Sequence, residues 1–347
     1  MGITAKEREL LTNSRRACYM SCPWRHFLAY ELGMRPRTDM PALRIGSCVH
    51  TALDLHNKGA NPGQAISEAL ASFVQDEWDD PERIAAMLTG YWWRWQNDVT
   101  AAVASELTLY MPLTNPDTGL PSRTFTVAMK ADVIVTLHDS RLALMEHKTT
   151  SEDIAPDSDY WKRLRIDAQI STYMLGARHN GYDVQTVVYD VLRKPLLRPK
   201  QVPMLDDQGL KIVRDAATGE RLFKKDGAPR LSADAGMKLE VRGEEPHEYQ
   251  TRLMEDIYSR PDYYYARREI PRIKSDLEDA QRDLWNVAKL IRESQLNNWW
   301  PRNDHACKGF GTCPYFRLCV EGYDPKTGEV PDGFEFVSEL HPELKGE

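Results

Sequence analysis

The sequence predicts an α/β fold, a mixed β-sheet flanked by helices, and three observations carry that expectation. The hydrophobic pattern is helical over most of the first hundred residues. It switches to strand-like alternation over TFTVAMKADVIVTL and LALMEHKT, then passes through helix, strand and helix again. With 347 residues, 41% of them hydrophobic, the chain can bury one sizeable core. Its six cysteines lie only near the two ends, which is either accidental or a device that ties the ends together: Cys18, Cys22 and Cys48, then Cys307, Cys313 and Cys319.

Taken in order, residues 1–35 read as helical on Leu10, Leu11, Tyr19, Trp24, Phe27 and Leu28. A second helix is expected to begin near Gly46 and to carry Val49, Ala52, Leu53 and Leu55. Residues 65–108 read as helix-rich. Their aromatic cluster, Tyr91, Trp92, Trp93 and Trp95, suits core or helix–helix packing, with a base-stacking platform as the alternative. The alternating pair is rich in β-branched residues and is interrupted by HDSR, so it reads as an antiparallel hairpin. Residues 161–180 should be helical and QTVVYDVLRK a further strand. Residues 195–245 are polar, with the turn signals DDQG, ATGE and KKDG, and suit a hairpin insertion or mobile loop. A helical pattern follows as far as Leu296. The expected organisation is a single domain over residues 1–347.

Composition narrows the function. Lysine and arginine number 45 against 52 acidic residues, a net charge of −7, which excludes a small basic domain that coats phosphates but not a local basic groove. No apolar run reaches the ~18 residues needed to span a bilayer. The start, MGITAKERELLTNSRRACYM, lacks the apolar stretch of a signal peptide, so a cytoplasmic protein is expected, with no membrane partner. No G-x-x-x-x-G-K-[ST] loop is present, so the chain is no ATP-driven motor by itself.

The hairpin carries the chemistry. Glu146 and Lys148 are two apart and share a strand face with Leu142 and Leu144, while His147 points the other way. A carboxylate that continues an apolar stripe calls for a cation. Asp132, on the preceding strand, falls opposite or nearly opposite this pair. Two carboxylates beside a lysine suit metal-assisted phosphodiester hydrolysis: the carboxylates are hard ligands for Mg²⁺ or Mn²⁺, and the ammonium offsets charge on phosphorus. A surface strand with a cross-strand ion pair would use the same residues.

These residues do not stand alone. ADVIV at 131–135, EHKTT at 146–150, GSCVH at 46–50 and QISTY at 169–173 resemble, in order, the aspartate, E-x-K-T, G-x-x-x-H and Q-x-x-x-Y motifs of the RecB-like branch of the PD-(D/E)XK nuclease superfamily. The resemblance covers nearly the whole chain outside 195–245. It implies a restriction-endonuclease-like fold, with His50, Asp132 and Glu146 as metal ligands and the His147 carbonyl as a contributor. Lys148 would position or activate water, and Gln169 and Tyr173 would orient it or the phosphate. Glu106, in ASELTL, corresponds weakly to a further acidic position; a solvated glutamate fits equally.

CPWRHF at 22–27 and CKGFGTCPYFRLC at 307–319 are similar to the cysteine motifs of the cluster-bearing members of that branch, the AddB-type and CRISPR-associated nucleases. The similarity implies a [4Fe–4S] cluster on Cys22, Cys307, Cys313 and Cys319, joining segments 1–45 and 297–325. Five residues separate Cys307 from Cys313 where the family usually has two, and zinc is the rival occupant. Cys18, four residues before Cys22, is the rival N-terminal ligand. Cys22 is preferred for the Pro23 and Phe27 that follow it, leaving Cys18 and Cys48 as buried small residues.

Basic residues concentrate near the motifs: Arg15, Arg16, Arg25, Arg35, Arg37 and Arg44, then Lys162, Arg163 and Arg165, then Arg267, Arg268, Arg272 and Lys274 after Tyr263–Tyr265. Interleaved with aromatics, they suit phosphate contacts and stacking on unpaired bases, or simply solvated helix faces. The expectation is a DNA exonuclease dependent on Mg²⁺ or Mn²⁺. It would act on a free or single-stranded end in recombination, repair, phage DNA processing or CRISPR adaptation, with a recombination or helicase partner. The alternative is a non-catalytic DNA-end-binding or scaffold subunit.

Overall fold

Among the described residues the first element is a strand and not a helix: β1 (Glu9–Leu11) pairs in parallel with residues 125–127, burying Leu11 completely. A helix over all of residues 1–35 is therefore corrected, and residues 1–7 lie outside the described part. Three residues with one buried side chain give no periodicity to read; only the partner strand makes them a strand. Thr12 then caps α1 (Asn13–Ser21), accepting from the Arg15 N–H at 3.1 Å. Pro23 opens α2 (Pro23–His26), and a wider helical turn over Phe27–Glu31 leads to β2 (Met34–Pro36). This computed structural model describes residues 8–37, 41–73, 78–98, 100–309 and 311–345.

Three helices follow, α3 (Pro41–Asn57), α4 (Pro62–Ala69) and α5 (Asp79–Arg94). Next comes a meander, β3 (Ala101–Thr114), β4 (Pro121–Thr136) and β5 (Leu142–Thr150). The expected hairpin is β4–β5. Residues 101–108, read as helix-rich, instead begin β3, because they pair along a long antiparallel partner, with residues 104–108 half-covered and 101–103 exposed. The region 161–180 is two helices, α6 (Asp159–Leu164) and α7 (Ala168–His179), broken where Asp167 caps the second. The strand β6 (Val184–Arg193) returns parallel to β5, buried along nearly its whole length as a parallel strand covered on both faces must be.

Residues 201–243 hold four short strands, β7 (Gln201–Pro203), β8 (Val213–Asp215), β9 (Met237–Leu239) and β10 (Val241–Gly243), as nested antiparallel pairs β7–β10 and β8–β9. The helical pattern expected up to Leu296 is interrupted. Between α8 (Pro246–Ser259) and α10 (Lys274–Asn297) lie α9 (Pro261–Tyr264) and an edge strand, β11 (Tyr265–Glu269), antiparallel to β6. The short α11 (Phe316–Val320) and β12 (Phe334–Phe336) close the chain, β12 pairing with β2.

The main sheet runs β1-β4-β5-β6-β11, with β3 on the other side of β4. One face packs on α1, α7 and α10 through Tyr19, Ile170, Met174, Leu284 and Ile291. A second core gathers α3, α4, α5 and α8 at the other face; there Gly90 lets α5 approach so closely that a Cβ would lie 2.5 Å from the Tyr265 hydroxyl. A third small core, with Leu28, Met34, Tyr315, Leu318 and Phe334, holds the chain ends together. The sheet is thus mixed and flanked by helices on both faces, as the sequence predicts. No helix among the described residues is long and apolar enough to cross a membrane.

Candidate active site

The site forms where two strands part. The β4–β5 ladder ends at the pair Val133–Met145, after which β5 pairs only with β6. At the next level the His147 N–H donates to the Asp132 carboxylate at 2.8 Å instead of to a backbone carbonyl. The strand alternation also changes phase there: Met129, Ala131 and Ile134 pack in the main core, whereas Val133 and Val135 pack on the opposite face. On β3, Glu106 lies between the pairs Ser105–Val133 and Leu107–Ala131 and has φ of +49°, a left-handed conformation uncommon for glutamate. Such local strain needs support from the surrounding structure and is concentrated at functional sites.

This kink brings Glu106 to Asp132 and His50. One ligand atom from each lies within 4.8 Å of the others, His50 Nδ1 being 3.5 Å from Asp132 Oδ1. Two carboxylates and an imidazole are a donor set that suits a divalent cation. Burial alone would raise the Asp132 carboxyl, but His50, with His147 and Lys148, holds it below the usual carboxylate range. Burial likewise works against charge on His50, yet Asp132, with Glu146 and Glu106, pushes it up to about 9. The surrounding carboxylates thus favour the protonated form of His50 in the free protein.

Glu146 does not join that trio among the described residues; its Oε1 instead accepts from Lys148 Nζ at 2.7 Å. Burial first and the neighbouring Asp132 second push the Glu146 carboxyl up to about 7, with Lys148 pulling the other way. Lys148 stays an ammonium: burial opposes its charge, but Glu146 and Asp132 hold it above the usual lysine range. Its Nζ also donates to Gln169 Oε1 at 2.8 Å, and Gln169 Nε2 donates to the Tyr173 hydroxyl at 2.8 Å. The i, i+4 spacing on α7 thus places both side chains on the Lys148 side of the sheet. His147 faces away, its Nδ1 3.0 Å from Asp190 Oδ2.

Asp190 is fully buried and also accepts from Arg267 Nε at 2.9 Å and from the Tyr91 hydroxyl. Sequence reading missed it. The signal available was a lone carboxylate inside the apolar run VVYDVLR, which a core tolerates only with partners.

Cys22, Cys307, Cys313 and Cys319 line one cavity of about 150 Å³, whereas Cys18 lines a separate groove. Their thiols are not as close as ligands of a single ion: among the described residues no three sulfurs lie within 4.8 Å of one another. The walls are tied across the chain ends, Trp24 N–H to Pro301 O at 3.1 Å and Asn303 Nδ2 to Ser21 O at 2.8 Å. Burial pushes the Cys18 thiol up to about 11, and Cys48 is buried.

Several basic residues read as substrate contacts are structural instead. Arg15 is buried on Glu9 and Glu31, Arg267 on Asp190 and Asp98, and Arg272 donates to Ser171 Oγ and the Leu164 carbonyl. The partners of Arg267 and Arg272 come from parts of the chain more than seventy residues away, which spacing alone does not reveal, whereas Arg15 pairs with the nearby Glu9 and Glu31. Arg163 is exposed, paired with Glu152, and Arg165 is exposed beside Lys162 on the rim of α6.

Comparison with known proteins adds the following. No curated protein matches the chain. Among solved structures, a candidate exonuclease from Eubacterium rectale is 11% identical, over 89% of this chain and 87% of its own, with a TM-score of 0.44. The protein SSO0001 is 12% identical, over 81% and 86%, with a TM-score of 0.28. The family model of the PD-(D/E)XK nuclease superfamily matches residues 11–320, and the chain therefore belongs to that superfamily.

Proposed function

We propose that this nuclease is a DNA exonuclease dependent on Mg²⁺ or Mn²⁺ that trims free ends in the cytoplasm of a bacterial cell, in recombination, repair, phage DNA processing or CRISPR adaptation. A helicase or recombination protein would present the end. The observation that carries the reading is the convergence of His50, Glu106 and Asp132 within 4.8 Å, next to the Glu146–Lys148 pair.

A bound divalent ion would supply Lewis acidity to a phosphate oxygen and acidify a water. His50, Glu106 and Asp132 would hold it, with Glu146 and the His147 carbonyl completing the set. To do so His50 gives up its proton, since a ligating imidazole must be neutral. Lys148, charged throughout, stabilises negative charge building on the phosphate and does not serve as a base. Gln169, fixed between Lys148 and Tyr173, keeps that ammonium aimed. We further propose a [4Fe–4S] cluster on Cys22, Cys307, Cys313 and Cys319. A zinc ion with Zn–S bonds of about 2.3 Å needs sulfurs about 3.8 Å apart; the cavity that the four cysteines share, about 150 Å³, is what supports a larger group.

The test is digestion of end-labelled linear and closed circular DNA with Mn²⁺. Linear DNA should be degraded and circles spared, and Lys148→Ala should abolish cutting while leaving DNA binding. Unchanged cutting by Lys148→Ala sinks the mechanism, and cutting of circles sinks the exonuclease assignment. Binding of DNA ends without hydrolysis by the metal-loaded wild type would favour a scaffold subunit.

A further inference from the structure

Residues 195–245 form an arm that leaves the main sheet beside the candidate active site. Strand β6 ends at Arg193 opposite Thr150, two residues past Lys148 on the adjoining strand, and the Lys194 N–H donates to the Thr150 carbonyl at 2.7 Å. The arm is fixed at its base. Buried Glu244 accepts from the Lys200 N–H at 3.1 Å and from Arg252 Nη2 at 2.6 Å, and the Tyr249 hydroxyl donates to the Leu197 carbonyl at 2.8 Å. Beyond that base there is almost no core: between residues 201 and 243, all of them described, Val213 is the one buried side chain. Isolated two-stranded ladders are marginal in water, so the arm contributes surface more than stability.

That surface gathers positive charge where a sheet normally avoids it. In the β8–β9 ladder Lys238 lies directly opposite Arg214, and Arg214 is bridged in turn to Arg221, so three cations form a row across the strands. Like charges directly opposite each other destabilise a ladder. Glu240 and Asp206 offset the two arginines, whereas Lys238 has no such partner. Lys211, Lys224 and Lys225 are exposed as Lys238 is, and none of the four makes a side-chain hydrogen bond or ion pair among the described residues. The carboxylates of the arm are mostly engaged: Asp234 holds Arg230, and Asp215 and Asp226 accept from N–H groups of their own turns. Asp207 and Glu220 stay free, too few to balance four lysines.

We propose that the arm binds the phosphate backbone of duplex DNA alongside the active site, with Lys211, Lys224, Lys225 and Lys238 as its contacts. That the polyanion is DNA rests on the nuclease reading; the surplus of free cations does not. A single strand is served less well, because platforms for unpaired bases present aromatic rings to successive bases. Phe223 is the one aromatic residue between 195 and 245, and the Arg221 guanidinium lies 5.5 Å from its ring centre. Contacts to phosphates fix position without reading sequence, so the arm would hold the duplex while its end is cut.

The test is binding of labelled duplex and single-stranded DNA by the full chain in EDTA, so that no hydrolysis intervenes, read by fluorescence anisotropy over a series of salt concentrations. Lys211→Gln, Lys224→Gln, Lys225→Gln and Lys238→Gln combined should reduce the slope of log affinity against log salt on duplex by about 3 to 4, at roughly 0.9 per phosphate contact. Arginine at the same four positions keeps the charge and should restore the parent slope. Unchanged circular dichroism separates loss of the contacts from loss of the fold. With Mn²⁺ the glutamine variant should hydrolyse bis(p-nitrophenyl) phosphate, too small to reach the arm, as the parent does. A duplex slope that the glutamine variant leaves unchanged overturns the proposal and leaves the exposed Leu205, Leu231 and Val241 of the arm to a protein partner. A reduction on single strands but not on duplex overturns it as well. If the slope falls but the parent cuts neither DNA nor the small ester, the arm keeps its role and the nuclease mechanism fails; cutting with an unchanged slope does the opposite.

Discussion

Replacing Asp190 by alanine should be among the most costly single changes in the protein. Its carboxylate is completely buried between β6 and β11 and meets His147 Nδ1 at 3.0 Å, Arg267 Nε at 2.9 Å and the Tyr91 hydroxyl. Removing one partner of a buried pair costs about 3–5 kcal/mol, because the other charge stays behind uncompensated. Arg267 keeps a second partner in Asp98, and its side chain is 15% exposed, so the lower end, about 3 kcal/mol, is expected. Asp190→Asn, which keeps the shape but not the charge, should cost about half of that. Urea denaturation at neutral pH measures both. A double-mutant cycle with Arg267→Met should show strong coupling, because removing both charges leaves neither stranded. A loss under about 1 kcal/mol for Asp190→Ala, or an additive cycle, would refute the claim that this network is closed and tightly paired.

Three other expectations follow from particular residues. Glu106→Gln should raise the Mn²⁺ concentration for half-maximal DNA cutting by about tenfold while leaving the fold intact, since ligand charge sets affinity for hard cations; an unchanged Mn²⁺ titration would remove Glu106 from the site. His26 is buried between Tyr19, Tyr30 and Trp300, and burial, reinforced by Arg15, pushes its pKa down to about 2. Its folded value lies below the unfolded ~6.5, so its contribution is complete above about pH 6.5 and is lost as pH falls towards 2, about 1.4 kcal/mol per pH unit. Urea melts at pH 6.5 and 5 should show that slope, and His26→Gln should flatten it; parallel slopes would mean His26 titrates in the folded protein. Protein purified without oxygen should be brown with about four irons per chain, and Cys22→Ser should lose both while Cys18→Ser keeps them. Stoichiometric zinc in a colourless protein would replace the cluster.

Much of the candidate site was legible in the sequence because its parts are local. Glu146 and Lys148 are two apart on a strand, Gln169 and Tyr173 four apart on a helix, and those periods alone set their faces. The hairpin turn then placed Asp132 near them. What could not be read was what depends on long-range pairing. Glu106 read equally as a further acidic site position and as a solvated glutamate, because what brings it to Asp132 is a left-handed backbone on a strand that alternates poorly. The strands β1 and β11 are short pieces at or near the sheet margin, recognisable only from the neighbours they pair with.

The charged residues make the same division. By itself the sequence determined the mixed α/β architecture, the strand that carries Glu146 and Lys148, and the sorting of cysteines to the chain ends, since hydrophobic period and residue spacing are properties of the local chain. Only the tertiary structure decided which arginines are exposed and which are buried in ion pairs, that Cys22 and not Cys18 shares a cavity with the C-terminal thiols, and that His147 turns away from Lys148 to Asp190. The physical reason is that a charge or thiol takes its meaning from partners far away in sequence, and burial makes those partners obligatory.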